Sequence, residues 1–109
     1  MPIVSVSRWR INPEDASRIV REVAPLLKAQ GAARVTLGRI HAGQHAGQST
    51  VVTMYDDWQA YGKAMEAQHK DNKFQQLYGQ AVKSGAELQE RNVLFVEEIW
   101  RSLAPRHPS

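Results

Sequence analysis

The 109-residue chain has no cysteine, so disulfides, thiolate nucleophiles and cysteine-held metals are excluded before any other residue is weighed. Long apolar runs are also missing, and nothing approaches the roughly 20 residues that a membrane span needs. The opening MPIVSVSRWR lacks the basic region, apolar segment and small-residue cleavage site of an export signal. A cytoplasmic protein without a membrane partner is expected. Blocks of one charge are absent too: 14 Lys and Arg are interspersed with 11 Asp and Glu, giving a net charge of +3. No recognition motif accompanies the basic residues, so the pattern describes a mixed solvated surface and no nucleic-acid partner is expected.

What remains is a globular balance of 42% hydrophobic and 23% charged residues, at a length suited to one domain. Residues 1–101 are read as that domain, and 102–109 as a loose tail. Residues 3–11, IVSVSRWRI, have the β-branched, period-two character of a strand. Asn12-Pro13-Glu14-Asp15 then supplies a cap, a proline suited to the first helical position and two acids that complement the helix dipole. The helix that follows has an apolar face of Ala16, Ile19, Val20, Val23 and Leu27, with Gly31 as terminator. Pro25 should remove one hydrogen bond and bend its last turn.

Residues 33–41 and 49–55 read as two further strands. Between them stands HAGQHAGQ, one four-residue unit written twice. Histidines four apart share a face only on a helix, which two glycines between strand patterns oppose, so a metal site is not expected. A phosphate-cradling loop should open into a helix, and here a strand follows. The stretch is a hairpin connection in which Gly43 and Gly47 supply positive φ. Asp56 and Gln59 have capping-box spacing ahead of a second helix with Trp58, Tyr61, Met65 and Gln68 or His69 on one face. Its pattern resets around Lys70-Asp71-Asn72, giving one broken helix or two in succession, with Phe74, Leu77, Tyr78, Ala81, Val82 and Leu88 as a second apolar stripe. NVLFVEEIW, residues 92–100, reads as the last strand.

The order β-α-β-β-α-β is the ferredoxin-like arrangement, an α+β fold with an antiparallel sheet and the helices on one face. Apolar side chains fall on both faces of these strands, as in Ile3, Val4 and Val6, Val51 and Val52, and Val93-Leu94-Phe95-Val96. The second face therefore needs a cover, and a second copy packed sheet to sheet is the simplest one.

With that order the chain resembles the dimeric α+β barrel superfamily, in which two ferredoxin-like protomers pack their sheets into one barrel. AGQHAGQSTVVTMYDDWQAYGKAMEA, residues 42–67, is similar to the hairpin and second-helix region of small NIPSNAP-like proteins, with their A-G-x-x-x-G spacing, strand and D-W-x-A-Y-x-K. The resemblance implies a homodimer with a small-molecule cavity between sheet and helices. The superfamily also holds cofactor-independent antibiotic-biosynthesis monooxygenases, haem-degrading enzymes, isomerases and regulatory ligand-binding domains, so the fold alone names no reaction. Trp58, His69 and Phe74 resemble the W…H…F pattern of the monooxygenase branch. Haem-degrading members use an asparagine on the first strand, where this chain has Ser5 and Ser7; no haem, other cofactor or metal is expected.

His69 is the candidate catalytic residue, able to move a proton if it faces a cavity, or simply capping or solvated at the polar end of its helix. Trp58 and Tyr61, three apart, either wall an aromatic pocket or anchor the helix to the sheet. Trp9, Tyr55 and Trp100 lie on expected strands and would line a cavity if they face inward. Arg39 joins them as a candidate ligand-binding residue. Arg8, Arg39, Glu97 and Glu98 are strand charges that must be paired or functional if they point inward, and belong at an edge otherwise. Two functions stay open: binding of a small molecule, aromatic or not, or of a partner, or a structural role, all without chemistry; or catalysis on an aromatic or polyketide-like substrate as a cofactor-independent monooxygenase or isomerase.

Overall fold

The computed structural model describes residues 1–97. Strand β1 spans Ile3–Arg10 and is followed by helix α1, Pro13–Ala29. The Asn12 side chain accepts the Glu14 N–H at 2.9 Å and Pro13 opens the helix, as the sequence predicts. The helix runs through Pro25 and is closed by Gly31 at φ 115°, with the Ala32 N–H donating back to the Leu27 carbonyl. Strands β2, Arg34–Arg39, and β3, Ser49–Tyr55, pair antiparallel with Leu37 opposite Val51. The HAGQHAGQ connection is the expected hairpin turn. Gly43 and Gly47 stand at φ 106° and 91°, and Ile40 closes the loop by donating to Gln48 and accepting from Gly47, both at 2.8 Å.

Helix α2, Trp58–Lys70, is capped by Asp57, whose carboxylate accepts the Ala60 N–H at 2.7 Å. The expected Asp56–Gln59 box is thus displaced by one residue, because Asp57 reaches the free amides of the first turn. Of the two alternatives at Lys70-Asp71-Asn72, two helices is the outcome: Asp71 ends α2 and caps α3, Asn72–Lys83. Its carboxylate accepts the Phe74 N–H at 3.0 Å and the Gln30 amide at 2.9 Å, and so ties the α2–α3 corner to the end of α1. The Phe74 amide, more than Gln30, holds the Asp71 carboxyl below its usual pKa against a smaller desolvation effect.

The last strand departs from expectation. Strand β4 is Glu87–Phe95, so Leu88 belongs to it and not to a helical stripe, and Val96 and Glu97 follow it. Gly85, at φ 106°, ends α3 early. All nine β4 residues are exposed, so its first half, ELQER, lacks the apolar alternation by which a half-buried strand is read. The remainder of the expected strand, residues 98–100, lies outside the described residues.

The sheet order is β2-β3-β1-β4, all pairs antiparallel, which is the ferredoxin-like arrangement with its second helix divided in two. Ser5, Ser7 and Trp9 of β1 and Ser49, Val51, Thr53 and Tyr55 of β3 share the helix-covered face. By strict alternation Val4, Val6 and Arg8 of β1 and Thr50, Val52 and Met54 of β3 occupy the other face, with Leu94 opposite Val4. The core gathers at one end of the covered face, where Ile3, Leu27, Ala32, Tyr55 and Ala64 are buried and Val23, Val35, Met65 and Phe74 pack round them.

Candidate functional site

Beyond that core, sheet and helices diverge around a cavity of about 150 Å³. Its floor is the covered face of β1 and β3: Ser5, Ser7, Ser49, Val51 and Thr53. The α1 face expected from the sequence, Ala16, Ile19, Val20, Val23 and Leu27, supplies one wall. Tyr61, Met65 and Gln68 of α2 and Phe74 and Tyr78 of α3 supply the others, and Arg91 of β4 stands at the rim.

The polar groups have distinct surroundings. Trp9 Nε1 donates to Ser7 Oγ at 2.8 Å, and that hydroxyl also lies 3.4 Å from the Val51 carbonyl. The Trp9 ring meets Tyr78 edge to face at 5.9 Å, and Tyr55 meets Tyr61 the same way at 5.4 Å. The Tyr55 phenol is only 1% exposed. Burial raises its pKa and the neighbouring Tyr61 adds to this, while Arg91 and the Gln68 amide oppose it. The net shift is upward, so Tyr55 stays a neutral phenol near pH 7, able to donate a hydrogen bond but unsuited to removing a proton.

Of the residues singled out by sequence, the structure brings Trp9, Tyr55 and Tyr61 together in the cavity wall. Trp58 lies outside it, 57% exposed, with its ring stacked between Tyr61 at 5.3 Å and Phe95 at 5.6 Å. His69 is exposed at the end of α2, and Gln68 takes the inward position beside it. Of the Trp58, His69 and Phe74 set, only Phe74 lines the cavity. Arg39 is exposed at the end of β2. Arg8 is paired on the opposite face, donating to Gln48 at 2.6 Å and Glu90 at 3.1 Å. Glu97 is exposed after β4, and Glu98 and Trp100 lie outside the described residues.

Sequence reasoning did not single out Ser49, Thr53 and Arg91. The hydroxyls were signalled: alternation along IVSVSRW and STVVTMY puts Ser5 and Ser7 on the face of Trp9, and Ser49 and Thr53 on the face of Tyr55. Arg91 was hidden because the last strand was begun at residue 92, whereas its partner in the sheet is Ser7. Among the described residues no group of three His, Asp or Glu could hold a metal, and no helix is long and apolar enough to cross a membrane.

A family model for a domain of unknown function, DUF6854, matches residues 8–95, which takes in the whole cavity floor except Ser5 and Ser7. The chain belongs to the DUF6854 family. No curated protein matches it. Among solved structures, this DUF6854 chain is similar to SnoaB, a cofactor-independent oxygenase from Streptomyces nogalater, with a TM-score of 0.67 and 16% identity over 89% of this chain and 94% of that one. It is also similar to a NIPSNAP family protein from Agrobacterium tumefaciens, with a TM-score of 0.64 and 14% identity over 89% and 87% of the two chains. A dimeric ferredoxin-like protein from an uncultured marine organism matches with a TM-score of 0.64 and 15% identity, over 88% and 97%. At these identities the likeness is one of fold, and it agrees with the ferredoxin-like, NIPSNAP-like resemblance carried by residues 42–67.

Proposed function

We propose that this DUF6854 protein is a cytoplasmic homodimer, packed sheet to sheet, that binds a small aromatic molecule between its sheet and helices. The observation that carries this reading is the cavity itself. Aromatic and aliphatic walls over a floor of hydroxyls are the composition of a small-molecule site, where apolar area gives affinity and a few polar groups fix orientation. A purely structural interior would close such a space, because unfilled volume under a sheet costs packing contacts. Apolar side chains on the opposite face, among them Val6, Val52, Met54 and Leu94, support the second copy, and one of the similar solved structures is described as dimeric.

Catalysis as a cofactor-independent monooxygenase or isomerase is the alternative, favoured by the shared fold with SnoaB. The residues of this chain supply it with little proton chemistry: Tyr55 is a neutral phenol and His69 lies outside the cavity. Binding is therefore the better-supported reading. A thermal-shift screen of one- to three-ring aromatic compounds tests it, since a ligand that binds only the folded state raises the unfolding midpoint. A concentration-dependent rise is expected for a subset of the compounds. A flat response across all of them would remove the binding reading.

A further inference from the structure

The cavity of the proposed binding protein combines three features that narrow its ligand. The first is size. An engineered apolar cavity of comparable volume in another protein accepts benzene, so the space here suits a single ring.

The second is the state of the floor. Ser7 is engaged by Trp9 and Val51, whereas the hydroxyls of Ser5, Ser49 and Thr53 make no side-chain hydrogen bond among the described residues. Ser49 and Thr53 are buried, at 3% and 7% exposure. Their hydroxyl oxygens are not buried orphans, since the buried side-chain atom without a partner among the described residues is Gln30 Oε1; as groups lining the cavity they can meet a ring substituent.

The third is charge. Arg91 lines the same cavity from β4 and sits opposite Ser7 in the sheet. On the neighbouring strand β1, Arg8 pairs with Glu90 and Arg10 with Glu87, whereas Arg91, like the β2 arginines Arg34 and Arg39, has no described carboxylate within ion-pair distance; of these three only Arg91 lines the cavity. A guanidinium over an apolar pocket matches a planar carboxylate through two parallel N–H donors, and does so better than an ammonium could.

Resting on the binding reading above, we infer that the ligand is a one-ring aromatic acid, its ring between the α1 and α2 walls and its carboxylate on Arg91. A hydroxyl or similar group on the ring's far side would reach Thr53, Ser5 or Ser49.

The test is equilibrium binding by calorimetry on the full chain with benzoate, 4-hydroxybenzoate, the neutral isostere benzamide and the three-ring anthracene-2-carboxylate. Benzoate and 4-hydroxybenzoate are expected to bind at least tenfold more tightly than benzamide, and anthracene-2-carboxylate more weakly than either. Arg91→Gln should remove most of the preference for benzoate over benzamide, and Arg91→Lys should recover part of it. Arg91 is exposed on an edge strand, so neither variant threatens the fold. Equal affinity for benzoate and benzamide, or benzoate binding that Arg91→Gln leaves intact, would overturn the anion assignment and leave the cavity reading standing. Tighter binding of the three-ring acid would overturn the size assignment alone. No binding by any compound in this set or in the wider screen would remove both readings together.

Discussion

The two faces of the sheet are built from alternate residues of the same strands, and their middles are the reverse of what a helix-covered sheet ordinarily shows. Such a sheet puts apolar residues under the helices and polar residues outside. Here Ser5, Ser7, Ser49 and Thr53 lie under the helices, and Val4, Val6, Val52 and Met54 lie outside. The covered face is dry and tightly packed only at its Ile3–Tyr55 end. Each departure has the same consequence: a face made for something other than this chain's own core. Hydroxyls beneath a cavity suit a ligand, and valines on an open face suit a second sheet.

The sharpest way to break this comparison is within the covered face. Ile3 is fully buried, so Ile3→Ala should lower the unfolding free energy by about 2–5 kcal/mol, read by urea denaturation, through lost transfer energy and the hole left behind. A loss under about 1 kcal/mol would mean that the covered face has no rigid end and that the cavity continues through it.

The open face is tested next. Val6→Asp places a charge among Val52, Met54 and their neighbours, and should convert the proposed dimer to a monomer in sedimentation while the circular dichroism spectrum stays that of the parent. A parent that already sediments as a monomer at micromolar concentration, or a variant that stays dimeric, would remove sheet-to-sheet packing.

The smallest effect concerns the polar end of that face. The Glu90 carboxyl is held below its ordinary pKa of 4.5, first by the Asn92 amide and then by Arg8. Because the folded value is the lower one, the unfolded chain takes up the proton first as pH falls. The stabilisation is thus complete above pH 4.5 and is lost as pH falls through the folded value. Glu90→Gln should therefore show a shallower loss of stability than the parent as pH falls below 4.5, measured by urea midpoints. Matching slopes in parent and variant would place Glu90 outside the network. Asp71, lowered in the same direction, contributes to the slope of both proteins and cancels in the comparison.

Much of this was legible from residues alone. Asn12-Pro13, Gly31, Gly43 and Gly47 carry their meaning locally, since a cap, a fixed φ or a positive φ depends on neighbours a few residues away. The α1 face was legible because its apolar residues recur at three and four, and all five reach the cavity or core. Strand β4 was legible only in part. Its exposure on an edge removes the alternation that marks a strand, and with its start went the placement of Arg91. On α2, Gln68 and His69 were equivalent by spacing, because both lie close to the line through Tyr61 and Met65. Packing against β3 chose Gln68.

The sequence by itself determined the order of strands and helical regions, the hairpin turn, the cap of α1, and the presence of apolar residues on both faces, all of which follow from local conformational preference and periodicity. It could not determine which face of each strand meets the helices, since one residue of register exchanges the two. Only the tertiary structure decided that Ser5, Ser49, Thr53 and Arg91, separated by up to 86 residues, surround one space. The reason is that such a site exists through pairing across β1, β3 and β4, and strand pairing is a long-range interaction that no local signal encodes.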